Sequence, residues 1–151
     1  NITSNDYPKY QGVISLEGKS SYDIYKNIKL WIADNFKSAN DVIQMDDNES
    51  GIIVVKGIIP ISLKTMVGAY TYSMYTSFKF EIKDGKFRYT AEVASIVDPK
   101  APTSGDLVTS INNKPDGKYQ VAAKNNITTT INNCIESLVA SLKKADTIED
   151  W

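Results

Sequence analysis

Apolar residues recur at two different periods along this chain, and the change of period marks its elements. Val13, Ile14 and Leu16 sit in a short stretch, Gly12 to Glu17, that reads as a first strand, and Gly18-Lys19 turns the chain after it. Ser20 then offers an N-cap, with Asp23 in the capping-box position. From there to about Asn35, Tyr25, Ile28, Ile32 and Phe36 recur at helical spacing. Ile24 and Trp31 widen that stripe, while Lys26, Lys29 and Asp34 fall outside it. Val42 to Met45 predicts a short strand, and Asp46-Asp47-Asn48-Glu49-Ser50-Gly51 a polar turn. Ile52 to Ile59 is apolar on both faces apart from Lys56 and Gly57, so it reads as an inner strand that Pro60 stops.

The next two strands carry the most specific pattern. Asp84-Gly85 is a pair favoured in two-residue hairpins, where both central residues take positive φ. Centring the register there pairs Ile82 with Phe87, Phe80 with Tyr89, Phe78 with Ala91, Thr76 with Val93 and Tyr72 with Val97 on one face. The other face then sets Glu81 against Arg88, Lys79 against Thr90 and Ser77 against Glu92. A slip of one residue would turn the aromatics into water, so this register predicts one dry and one wet face. Residues 98–117 follow, with Pro99, Pro102, Gly105, Pro115 and Gly117, and read as a long loop that Leu107, Val108 and Ile111 can pin down. A last helix runs to about Lys144 on a stripe of Ile127, Ile131, Cys134, Ile135, Leu138 and Leu142, with Asp116 or Asn125 as its cap. Thr128-Thr129-Thr130 and Asn132-Asn133 are weak helix formers, so packing must hold it.

The order predicts an α+β fold, β-α-β-β-β-β-α, with a curved antiparallel sheet and two helices on one face. Residues 1–9 read as a loosely held arm and 10–151 as one domain, a size that closes a core without disulfides or metals.

Composition narrows the chemistry. The formal net charge is −1, with a single arginine, Arg88, against a background of lysines. A nucleic-acid binder leans on a basic stripe and on arginine, so none is expected as partner. The chain holds no histidine, which removes the commonest general base and metal ligand. Its one cysteine, Cys134, leaves no intrachain disulfide and no cysteine zinc site, and its place in the last helix's stripe points to a buried, inert thiol. The acidic run Asp46 to Glu49 has oxygen ligands suited to calcium but not the spacing of an EF-hand loop, so it reads as a solvated turn. Tyr70, Tyr72, Tyr75, Phe78, Phe80, Phe87 and Tyr89 crowd one hairpin and read mainly as core, or as the lining of a cavity between sheet and helices. Tyr75 stands apart, because the register places it on the wet face opposite Ala94 and near Ile96. Those three residues form a candidate partner-binding patch. The chain begins at Asn1, so an upstream segment is expected, and no apolar run approaches the roughly 20 residues of a membrane helix.

The segment SYDIYKNIKLWIADNFKSANDVIQMDDNESGIIVVKG, then KDGKFRYT, then a terminal EDW, resembles a family of Bacteroidetes envelope proteins, many of them lipoproteins, with a TATA-binding-protein-like fold. The resemblance runs from about Val13 to Trp151 and is sharpest from Trp31 to Gly57. It implies a signal peptide upstream and a place in the periplasm or at the cell surface, and it brings no activity or catalytic residues. In such bacteria Asp146-Thr147-Ile148 fits an O-glycosylation pattern, which makes Thr147 a candidate site against the plainer reading of a C-terminal tail. The fold name does not bring DNA binding with it, since the wet face mixes Lys79, Lys83, Lys86 and Arg88 with Glu81 and Glu92. The leading expectation is a non-catalytic module, without cofactor or metal, that binds an envelope protein or a surface polymer through the wet face or the 98–117 loop. A small-ligand carrier is the alternative, and an enzyme working with Asp, Glu or Lys alone comes third.

Overall fold

A computed structural model describes residues 8–36, 43–65, 67–101, 103 and 105–148. Five strands and three helices follow in the order β1 (Lys9–Ser15), α1 (Ser21–Asn35), β2 (Ile43–Asp47), β3 (Ile52–Thr65), β4 (Gly68–Lys83), β5 (Lys86–Val97), α2 (Leu107–Asn113) and α3 (Lys118–Ile148). The strands form one antiparallel sheet in the order β1-β5-β4-β3-β2. This is the expected mixed α+β architecture with one helix added. The expected arm, apart from its last two residues, and the terminal EDW lie outside the described residues, as does Val42.

The chain divides into two compact units. One takes the residues up to Tyr10, Gly57–Ser77 and Ala91–Asn132; the other takes Gln11–Lys56, Phe78–Thr90 and Asn133 onward. In the second unit, Phe78, Phe80, Ile82 and Phe87 are buried while Lys79 and Arg88 are exposed, as the hairpin register requires. Arg88 Nε donates to Glu81 Oε1 at 3.0 Å and Nη2 to Oε2 at 2.8 Å. That two-pronged bond holds the Glu81 carboxyl below the usual carboxylate range. The turn itself differs from expectation. Gly85 has φ 77°, but Asp84 does not take positive φ. The sign pattern is that of a type II turn, and Asp84 Oδ1 instead accepts from Ser21 N at 2.7 Å. The hairpin tip thereby satisfies a free N–H at the start of α1, beside the N-cap bond from Asp23 N to Ser20 Oγ. Ile24, Tyr25, Ile28, Trp31 and Ile32 form the buried stripe of α1, and Trp31 Nε1 donates to Ser137 Oγ of α3 at 3.2 Å.

In the first unit the core is built from Ile61, Leu63, Met74, Val93, Ile96, Val108, Ile111, Ile127 and Ile131. β3 runs through Pro60, where a stop was expected. The described part of β2 reaches only Val55 of β3, so the stretch beyond has an open edge. Ser62 O, which shares Pro60's parity along the strand, accepts from the Asn126 side chain. Proline costs no ladder bond when its missing N–H faces such an edge. The 98–117 segment is also more ordered than expected. Asp106 Oδ1 accepts from both Val108 N and Ile96 N at 3.0 Å, starts α2 and ties it to the end of β5. α3 begins at Lys118, ahead of the Asn125 alternative. Its threonines bond back one turn, Thr128 Oγ1 to Lys124 O and Thr130 Oγ1 to Asn126 O.

Thr76 sits in this core at 3 % exposure, and its hydroxyl has no hydrogen-bond partner among the described residues. An unpaired buried hydroxyl costs about 1–3 kcal/mol. Thr76→Val should therefore stabilise the protein by about 1 kcal/mol in a urea melt. A loss of stability would show that the hydroxyl is satisfied in solution.

Candidate functional site

An open groove of about 490 Å³ lies in the second unit, between α1 and β2. Tyr22, Tyr25, Lys26, Lys29 and Leu30 line it from α1, and Asp46 and Asn48 from β2 and the turn after it. The helical repeat puts these α1 positions on one flank, because residues three, four, seven and eight apart share a side. Tyr22 and Leu30 are 61 % and 55 % exposed, which is unusual for two large apolar side chains flanking one groove.

A local irregularity supplies the opposite wall. Ile43 pairs with Val55, but Met45 pairs with Val54 and Asp46 with Ile53. Gln44 is thus an extra residue on β2, and it reverses which side chains face α1. Paired residues share a face, so Asp46 joins buried Ile53 and Met45 turns outward. Asp46 Oδ2 then meets Lys29 Nζ at 2.6 Å. Lys29 Nζ also stands 5.9 Å from the Tyr25 ring centroid, and Lys26 Nζ 5.7 Å from that of Tyr22.

A smaller polar cavity of about 230 Å³ adjoins the groove beneath the β2–β3 turn and shares Tyr22, Tyr25 and Asn48 with it. Ser21, Ser50, Gly51 and Ile82 complete its lining with Glu49. The Tyr25 hydroxyl is buried without a hydrogen-bond partner among the described residues. The turn is held from within: Asp47 Oδ1 accepts from Ser50 N at 3.1 Å, and bonds to Ser50 pull the Asp47 carboxyl below its usual range. Asp46 and Asp47 thus serve different partners, one across the groove and one inside the turn.

The candidate patch is only partly assembled. Tyr75 is 42 % exposed and Ala94 is exposed, as the register implied. Ile96 is fully buried, which removes it from the patch. Burial on β5 follows Phe87, Ala91 and Val93 at even steps, and Ile96 breaks that alternation. Asp106, the cap of α2, takes the Ile96 N–H there. Cys134 is half-buried at the margin of its stripe, not inside it, and burial pushes its thiol up, away from the reactive thiolate. Thr147 lies in the last turn of α3, and its side chain is outside the described residues. The hairpin phenylalanines are core, with Phe78 and Phe80 stacked at 6.0 Å and Phe87 edge-on to Phe80 at 6.1 Å.

The pattern reading missed Tyr22 and Leu30 and gave Asn48 no part in a groove. A signal for the first two was present, since both are large apolar residues off the α1 stripe and eight positions apart. Asn48 lies in the acidic run that was read as a solvated turn.

No curated protein matches the chain. Among solved structures, a TBP-like protein from Parabacteroides distasonis superposes with a TM-score of 0.71 at 14 % identity, covering 92 % of this chain and 94 % of its own. A DUF4468 family protein from Bacteroides ovatus superposes with a TM-score of 0.69 at 12 % identity, covering 94 % of this chain and 88 % of its own. At such identities the likeness shows the fold. The sequence itself matches the domain of unknown function DUF4468, with TBP-like fold, over residues 10–96, more than half of its 151, and the chain belongs to that family.

Proposed function

We propose that this domain is a non-catalytic binding module of the cell envelope that holds a small ligand, or one unit of a polymer, in the α1–β2 groove. The observation that carries the reading is the groove itself. Its volume falls within the roughly 300–1,000 Å³ of small-molecule sites, and solvated Tyr22 and Leu30 flank a short set of polar groups. The envelope placement rests on the family resemblance. The non-catalytic reading rests on the absence of histidine from the sequence and on the raised thiol of Cys134. Nucleic acid is disfavoured because acids are interspersed with the cations of the sheet, and two of those cations are paired, Arg88 with Glu81 and Lys9 with Glu92 at 3.5 Å.

A second reading has its own observation. Tyr75 is exposed on a strand whose neighbouring outward positions are small or polar, and exposed aromatics often anchor protein interfaces. An NMR screen of small fragments against the ¹⁵N-labelled domain separates the two. Hits should shift the amides of Ser21–Leu30 and Asp46–Gly51. Hits confined to the amides around Tyr75 and Ala94 would move the site to the sheet and overturn the groove.

A further inference from the structure

Resting on that reading, we infer that the groove takes a neutral saccharide. The argument begins with charge. Lys29 and Asp46 neutralise each other across the groove at 2.6 Å, and Lys26 stands over the Tyr22 ring. Glu49, on the adjoining cavity, balances Lys26 in number. Four charges therefore sum to zero, and an ionic ligand would have to compete with a bond already made. A net-charged ligand gains least from such a site.

The remaining groups suit a molecule with an apolar C–H face and a rim of hydroxyls. The Tyr22 ring has one face toward Lys26, and its ring as a whole is largely solvated. Leu30 extends the apolar surface one helical step further. Asp46 Oδ2 meets Lys29, and a carboxylate has further lone pairs that can accept from an O–H. The Asn48 amide offers both a donor and an acceptor and borders both hollows. A saccharide meets all of these at once: its ring stacks, and its hydroxyls both donate and accept. An acyl chain calls for an enclosed apolar channel, whereas this groove is open and carries Lys26, Lys29, Asp46 and Asn48 in its lining.

The test is a ¹⁵N NMR titration with cellobiose, lactose and N,N′-diacetylchitobiose as neutral probes and digalacturonic acid as an anionic one. At least one neutral disaccharide should give saturable shifts at the amides of Ser21–Leu30 and Asp46–Gly51. Tyr22→Ala should weaken that binding at least about tenfold, as expected for loss of an aromatic platform, while Tyr75→Ala, outside the groove, changes it less than about threefold. Both side chains are exposed, and an unchanged amide spectrum elsewhere reports that each variant is folded. Absence of saturable shifts with every neutral sugar at about 50 mM, a concentration that populates even very weak complexes, overturns the inference. So does binding of digalacturonic acid alone with dependence on Lys26. If fragments still map to the groove in either case, the groove is a site for another class of ligand. If nothing maps there, the groove reading fails as well.

Discussion

Phe80→Ala is expected to lower the free energy of unfolding by about 3–5 kcal/mol. Phe80 is fully buried on the dry face of the β4–β5 hairpin. Its ring lies parallel to Phe78 at 6.0 Å and edge-on to Phe87 at 6.1 Å, so truncation removes contacts on two sides. Its two aromatic neighbours project from the paired strands β4 and β5, which limits how far they can collapse into the space left behind. The cost therefore contains both the lost transfer free energy and a cavity contribution. Urea melts of the two proteins, with equal m-values, measure it. A loss below about 1 kcal/mol would place the ring outside the core and break the hairpin register on which the fold assignment stands.

The second large effect is expected at Gly51. Its φ is 69°, in the left-handed region, and a Cβ built there would stand 2.6 Å from Ile82 O. The contact cannot relax cheaply, because the obstacle is backbone and Ile82 N already donates to Gly51 O at 2.8 Å. Left-handed backbone costs a non-glycine residue roughly 1–2 kcal/mol, and displacing the Ile82 carbonyl adds to it. Gly51→Ala should thus destabilise by about 3 kcal/mol. It should also disturb the amides of Asn48 to Ser50, since the same turn forms a wall of the small cavity. A variant as stable as the parent, with an unchanged turn, would contradict the geometry assigned to it.

Much of the architecture was legible because two periods, 2 and 3.6, separate cleanly in this chain. The hairpin is the clearest case: alternating Phe78, Phe80 and Ile82 against Phe87 and Ala91 admits one register, and the Arg88–Glu81 pair confirms it. The N-cap at Ser20 was equally plain. What could not be read were departures from period. The burial of Ile96 comes with a hydrogen bond to a residue ten positions later, and no local pattern announces it. The passage of β3 through Pro60 depends on how far β2 extends alongside it. α2 is seven residues long, too short for periodicity to show, and its cap looks like any aspartate in a loop.

The candidate site was obscured for the same reason. Without the extra residue at Gln44, strand alternation gives Met45 to the helix side and Asp46 to water, which reads as ordinary burial beside an acidic turn. With it, Asp46 faces Lys29 and Met45 is exposed. The family resemblance identified the fold and supplied no site, so the groove rests on geometry alone.

The central claim is that the α1–β2 groove is kept for recognition, not for stability. The affinity ratio between the parent domain and Tyr22→Ala, for the tightest-binding fragment or sugar found by NMR, tests it most directly. Tyr22 is largely solvated, so the substitution should change stability by no more than about 0.5 kcal/mol. The account predicts a dissociation constant at least about tenfold higher for the variant, equivalent to about 1.4 kcal/mol of binding free energy. A ratio near one, with the ligand's shifts still centred elsewhere on the domain, would contradict it.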